Sequence, residues 1–131
     1  MNVAEKLKEI NLPDGSFVIV GSGILGALGI RESRDIDLIV SEEVYAQLDA
    51  DGWDHDIWGD QQTVLKKDVF DLGKYWGSET LADLLKNAQY VDGLPYLSLD
   101  NVYKWKKSLG RKKDIIDLKL IEAYRANYQV A

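Results

Sequence analysis

The chain has 131 residues, 46% of them hydrophobic and 29% charged, which suits a single globular domain with one modest core. Its formal net charge of −6 argues against a protein that coats nucleic acid by bulk electrostatics. It contains no cysteine, which rules out disulfides and thiolate metal sites, and no apolar run approaches the roughly 20 residues that span a membrane.

The opening MNVAEKLKEI spreads charge along its length and lacks the apolar stretch of a secretory leader, so residues 2–10 read as a short amphipathic helix and the expected location is cytoplasmic. Pro13-Asp14-Gly15 signals a turn. Phe17–Val20 reads as a buried strand, followed by a short helix over Ile24–Leu28 and a second strand over Ile36–Val40. Ser41 caps a helix over Glu42–Leu48, with two acids in its first turn. Residues 51–62 are polar and read as irregular. Thr63–Leu65 and Val69–Leu72 read as strands joined by a tight turn at Lys66-Lys67-Asp68. Ser78 is the expected cap of a helix through Ala88. Tyr90–Leu97 carries a hairpin turn at Asp92-Gly93. A helix opens at Ser98 or Asp100 and stops at Gly110, and Lys112–Tyr128 forms the last helix. The order predicts a mixed α/β (α+β) domain, a small mixed sheet flanked by helices with further helices at the C-terminus.

The segment FVIVGSGILGALGIRESRDIDLIV (17–40) carries the most information. Two acids that interrupt an apolar strand are costly to bury unless something compensates them. Asp35 and Asp37 share a face of the strand, with Cα atoms roughly 6.6 Å apart, while Ile36 and Leu38 face the other way. From that separation two carboxylates can converge on a pair of divalent ions about 3.5–4 Å apart, the spacing used in phosphoryl and nucleotidyl transfer. Gly21-Ser22-Gly23 lies where a strand turns into a helix. Glycine admits close approach of a ligand to the backbone, and a helix start offers free N–H groups to phosphate. The pattern is neither a dinucleotide fingerprint nor a P-loop. An acidic pair of this kind can also mark the rim of a strand or cap a neighbouring helix.

Gly21-Ser22, a short helix and then Asp35-Ile36-Asp37 with an apolar continuation resemble the signature of the nucleotidyltransferase-fold superfamily, which includes DNA polymerase beta and the small bacterial antibiotic nucleotidyltransferases. Arg31 and Ser33 stand where smaller members place an arginine and a serine. A second stretch, GRKKDIIDL (110–118), is similar to the C-terminal segment of lincosamide- and aminoglycoside-type enzymes. The resemblance covers residues 17–40 and 104–121.

It implies a small mixed sheet with the site at one edge, and a metal-dependent transfer of a nucleoside monophosphate from a nucleoside triphosphate to an acceptor hydroxyl. Asp35 and Asp37 would hold Mg2+, with two ions expected and Mn2+ as a substitute. Gly21 and Ser22 would hold the β- and γ-phosphates. Arg31, Arg111 or Lys113 would stabilise charge on the departing pyrophosphate, with Ser33 nearby. The family places a third acid on a later strand. Asp71, set between Phe70 and Leu72, is preferred over Asp68, which reads as a turn residue. The alternative is a non-catalytic nucleotide- or protein-binding module of the same fold, antitoxin-like in character. A chain this short leaves little room for an acceptor domain, which favours a homodimer or a partner protein.

On the last helix Ile116, Leu118, Leu120, Ile121 and Tyr124 form an apolar arc, with Asp117 inside it and Asp114 at its edge. Acids so placed need partners: Arg111, a backbone turn or a tyrosine hydroxyl. His55 is the single histidine and falls in the polar 51–62 segment. The four tryptophans read as packing residues, with Trp76 the best placed to stack on a base. Lys104, Lys106 and Lys107 read as a solvated basic face.

Overall fold

The computed structural model describes residues 2–128. It has the mixed α/β architecture expected, built around one seven-stranded sheet. In chain order the elements are α1 (Val3–Lys8), β1 (Phe17–Val20), α2 (Gly23–Ala27), β2 (Ile36–Val40), α3 (Glu42–Ala50), β3 (Asp54–Ile57), β4 (Thr63–Lys67), β5 (Phe70–Gly73), β6 (Tyr75–Trp76), β7 (Glu79–Thr80), α4 (Leu81–Lys86), β8 (Gln89–Val91), β9 (Leu94–Tyr96), α5 (Leu99–Leu109) and α6 (Lys112–Tyr128). The large sheet runs β3-β4-β5-β2-β1-β9-β8, and β6 and β7 form a separate two-stranded ribbon. Strands β1 and β9 pair in parallel, as do β2 and β5, and the remaining neighbours in the large sheet are antiparallel. No helix among the described residues is long and apolar enough to cross a membrane.

The centre of the sheet follows from the sequence. All four residues of β1 are buried, as are Ile36, Leu38, Ile39 and Val40 of β2. An apolar run without alternation is what a strand covered on both faces requires. Phe70 and Leu72 of β5, Val64 and Leu65 of β4, and Ile121 of α6 join the same core. The turns are equally local in origin. Asp92 and Gly93 both adopt positive φ (51° and 79°), the geometry of a two-residue hairpin turn, and bring Val91 opposite Leu94. Ser41 and Ser98 each accept a backbone N–H three residues on, from Val44 and Asn101, and so open α3 and α5. Gly110 (φ 64°) ends α5 in the left-handed conformation.

Several expectations are corrected. Residues 54–57, read as irregular, form the edge strand β3. Its four side chains are exposed, so it has no apolar pattern, and pairing with β4 alone defines it. The turn between β4 and β5 lies at Asp68-Val69, not at 66–68: Lys67 pairs with Phe70, and Asp68 takes the positive φ of 54°. Helix α4 is capped by Thr80, not Ser78, through a reciprocal box with Asp83, and it ends at Lys86. Ser78 sits in the turn of the β6–β7 ribbon.

The strand-to-helix turn is packed to its limit. A Cβ on Gly23 would stand 2.5 Å from Cγ2 of the core residue Ile19. Gly23→Ala is expected to destabilise the protein by about 1–3 kcal/mol, as overpacking of a filled core does, read as a lower urea midpoint at unchanged m value.

Candidate functional site

The pairing of β2 with β5 builds the site. It sets Asp37 directly beside Asp71, and the antiparallel pairing of β4 with β5 sets Lys66 beside Asp71 in turn. Laterally registered residues emerge on the same face of a sheet. The preferred third acid therefore stands next to the acidic pair, whereas Asp68 lies in the hairpin turn and receives a 2.9 Å hydrogen bond from Lys6. Asp35 is exposed and sits just before β2, not inside the ladder as the sequence suggested.

Three acids in this arrangement repel one another. Burial first, then the charges of Asp71 and Asp35, push the Asp37 carboxyl up from 3.8 to about 7, and the Lys66 ammonium offsets part of the rise. Asp71 is itself matched by Lys66, whose Nζ lies 3.1 Å from Oδ1. Asp35 and Asp37 make no ion pair among the described residues.

The glycine turn bends over this face. Gly21 has φ 66°, and a Cβ there would come within 2.9 Å of Asp37 Oδ2, so both the conformation and the space call for glycine. Ser22 opens α2 without a capping bond from its side chain. Its carbonyl accepts a 3.2 Å bond from the Ser33 hydroxyl, which ties the turn to the loop before β2. Helix α2 has only five residues. A macrodipole from so short a helix is weak, so the anion-attracting groups at this turn are the backbone N–H groups and the neighbouring cations.

Those cations are held by the last helix. Arg31 donates from Nε to Asp117 Oδ1 (2.7 Å) and from Nη2 to Asp117 Oδ2 (2.9 Å), and its Nη1 bonds the Glu32 carbonyl (2.9 Å). Lys106 lies 2.9 Å from Asp117 and 3.7 Å from Asp114. Arg111 forks onto Asp114 at 2.6 and 3.1 Å, and its backbone N–H adds a third bond to the same carboxylate. Burial works against ionisation of Asp117, yet the hydrogen bonds from Arg31 and Lys106 outweigh it and hold the carboxyl below the usual range. The Arg111 hydrogen bond does the same for Asp114.

Two sequence readings change as a result. Lys106 does not belong to a solvated basic face; it is 3% exposed and is the inner counter-ion of α6. The apolar arc of α6 is displaced as well, because Asp114, Asp117 and Ile121 face inward while Ile116 is 60% exposed.

These elements enclose a cleft of about 710 Å³ lined by Gly21, Ser22, Arg31, Glu32, Ser33, Arg34, Asp35, Asp37, Trp105, Lys106, Arg111, Lys113, Ile116 and Asp117. Of the residues expected to hold metal or phosphate it gathers all but Asp71, which stands beside Asp37 in the sheet. Sequence reasoning missed Arg34, Trp105 and Lys66. Arg34 and Lys113 make no ion pair among the described residues. Trp105 reaches the cleft, and Trp76, the expected stacking residue, packs edge-on between Trp105 (4.9 Å) and Trp58 (6.1 Å). His55 lies on β3, bonded to Asp49 at 2.7 Å, and does not line the cleft.

The donor set suits a hard divalent cation: carboxylate oxygens, with no sulfur or imidazole among them. Among the described residues no three metal-binding side chains converge as a ready cage. Magnesium held by one or two carboxylates and completed by phosphate oxygens does not require one. No family model, curated protein or solved structure matches the chain.

Two outcomes follow from these charges. The folded state holds the Asp37 proton more tightly than the unfolded chain does, so this group costs stability progressively as pH rises from about 4 through about 7. In metal-free buffer Asp37→Asn is expected to gain on wild type over that window, by at most about 4 kcal/mol at pH 8, and to converge with it near pH 4 in a urea-denaturation series. Asp117→Ala strands Lys106 and Arg31 and is expected to cost about 3–5 kcal/mol in the same assay, the range for breaking a buried pair from one side.

Proposed function

We propose that the chain is a divalent-cation-dependent nucleotidyltransferase that moves a nucleoside monophosphate from a nucleoside triphosphate to an acceptor hydroxyl. The observation that carries this reading is the register of Asp37 beside Asp71, with Asp35 at the strand entry and the Gly21-Ser22 turn bent over the same face. A buried acid with its carboxyl raised to about 7 by its neighbours is a group waiting for a compensating cation.

In this reading Asp35 and Asp37 hold Mg2+ or Mn2+. The bound cation would neutralise charge on the phosphoryl oxygens in the transition state. Gly21 and Ser22 receive the β- and γ-phosphates on their backbone N–H groups and the Ser22 hydroxyl. Asp71 accepts the proton of the acceptor hydroxyl or shares the cation. Arg31, already oriented by Asp117, points its remaining N–H donors toward the departing pyrophosphate, and Arg111 and Lys113 close the opposite wall. Ser33 fixes the turn. Trp105 is the aromatic residue that lines the cleft.

A second reading has a specific observation behind it. Arg31, Lys106 and Arg111 are paired with Asp114 and Asp117, and Asp71 with Lys66, so much of the cleft's charge is already engaged within the protein. This favours a non-catalytic module that binds a nucleotide or a partner protein through the same cleft.

Calorimetric titration with ATP, GTP, CTP and UTP, with and without Mg2+, separates the alternatives. Wild type is expected to bind at least one nucleotide only with the cation present. Asp35→Asn/Asp37→Asn is expected to weaken that binding at least tenfold while remaining folded by circular dichroism. Tight nucleotide binding that is indifferent to both the cation and the two acids would favour the non-catalytic module, and a folded wild type that binds none of the four would sink the enzyme reading.

A further inference from the structure

Lys66, Asp71 and Asp37 form a lateral row across β4, β5 and β2. The Lys66 ammonium lies 3.1 Å from one Asp71 oxygen and 3.5 Å from the other, so it covers both positions from which that carboxylate could ligate. Among the described residues it is the cation within ion-pair reach of Asp35, Asp37 or Asp71; Lys67, next to it on β4, and Lys74, just after β5, rest instead over the rings of Trp53 and Tyr45. The two partners differ in their access to water. The Asp71 side chain is 13% exposed and the Lys66 side chain 47%. The carboxylate is fixed in the sheet and needs a counter-charge, whereas the ammonium can swing out to solvent on its four-carbon stem.

We propose that Lys66 is an internal counter-ion that occupies Asp71 in the metal-free protein and is displaced when a divalent cation takes the acidic face. The inference rests on the divalent-cation reading above. An ammonium and a metal ion that share one carboxylate repel each other at close range, and exchange replaces one positive charge by two beside Asp37 and Asp35. No covalent bond changes. The ammonium keeps its proton and passes from Asp71 to water or to an incoming phosphate. The pair thus sets a threshold: the cation must outcompete a tethered one, and a cation that arrives with a polyphosphate supplies a new partner for the lysine it displaces. An ion pair with one half-exposed member adds little to stability.

The test is Mn2+ binding without nucleotide, followed by loss of the free-ion electron paramagnetic resonance signal, on wild type, Lys66→Met, Asp71→Asn and the double variant. Lys66→Met keeps the stem and removes the charge, and is expected to bind Mn2+ about tenfold more tightly than wild type. On the Asp71→Asn background the same change is expected to give less than half that gain. In wild type, saturating Mg2+ is expected to raise labelling of Lys66 by an amine-reactive acylating reagent, with Lys67 unchanged, as mass spectrometry would report.

Equal or weaker Mn2+ binding by folded Lys66→Met, with wild type binding normally, overturns the counter-ion and leaves the metal reading intact. So does Lys66 labelling that stays constant or falls at saturating Mg2+. If neither wild type nor Lys66→Met binds Mn2+ while both are folded, the metal reading and the inference fall together. Binding by Lys66→Met alone supports the inference in its strongest form.

Discussion

Two carboxylates side by side on parallel strands at the middle of a sheet impose the constraint on which the rest of this protein turns. Pairing β2 with β5 in the register that buries Ile36, Leu38, Phe70 and Leu72 sets Asp37 directly beside Asp71. A slip of one residue would relieve the repulsion but exchange the faces of β2, sending Ile36, Leu38 and Val40 to the side that Asp37 and Ile39 occupy. The hydrophobic core therefore enforces an electrostatic arrangement that is unfavourable in itself. The surroundings accommodate it step by step: Lys66 comes into line from β4, Asp37 retains a proton to nearly neutral pH, and the turn above must be glycine because Asp37 Oδ2 fills the space a Cβ would need.

The opposite wall of the cleft obeys the reverse logic. There the acids are scaffold and the cations are the groups on display. Asp114 and Asp117 project inward from α6, and each orients an arginine by a two-point fork, Arg111 and Arg31 respectively. Lys106 of α5 lies between them. Asp117 also joins the C-terminal helix to the loop before β2, across 86 residues of sequence. The basic wall is thereby locked in position against the acidic one, and the distance between them is fixed by the packing of α5 and α6 and by the core contact of Ile121.

Much of this was legible in the chain, and the failures share a cause. Strands β1 and β2, the glycine turn, the Asp92-Gly93 hairpin and the Ser41 cap are written in local chemistry, in apolar runs and turn residues whose meaning needs no distant partner. Asp35, Asp37 and Asp71 could be singled out because acids in apolar strands are anomalous wherever they occur. Strand β3 escaped because its four residues are exposed, and only pairing makes them a strand. The inward turn of α6 escaped because hydrophobicity places Ile116 inside, whereas ion pairs with Arg31 and Lys106 turn Asp117 inside instead. Lys66 was within reach. Counting outward from a two-residue turn at Asp68-Val69 puts it opposite Asp71, but a turn placed at 66–68 removes it from the strand altogether.

A cleft with an acidic floor and a basic wall, each partly paired within itself, would discriminate by charge pattern more than by net charge. A free phosphate approaching Arg31 or Arg111 competes with Asp117 or Asp114, and nothing it brings compensates the crowded acids across the cleft. A free divalent cation would meet the mirror image of that problem: it would answer Asp37 and send Lys66 into solvent without a partner. A polyphosphate that carries its own divalent cation presents both charges in one body. Under the proposed reading the positive centre would answer Asp35, Asp37 and Asp71, and the phosphate oxygens would answer the displaced Lys66 together with Arg31, Arg111 and Lys113. Each exchange then replaces one satisfied pair by another, and neither wall is left bare. Because the two exchanges are coupled through the same ligand, cation and polyphosphate should bind cooperatively, each raising the affinity for the other by the same factor. That reciprocity belongs to the binding half of the proposal alone, and it would be expected whether a bound nucleotide reacted or was simply held.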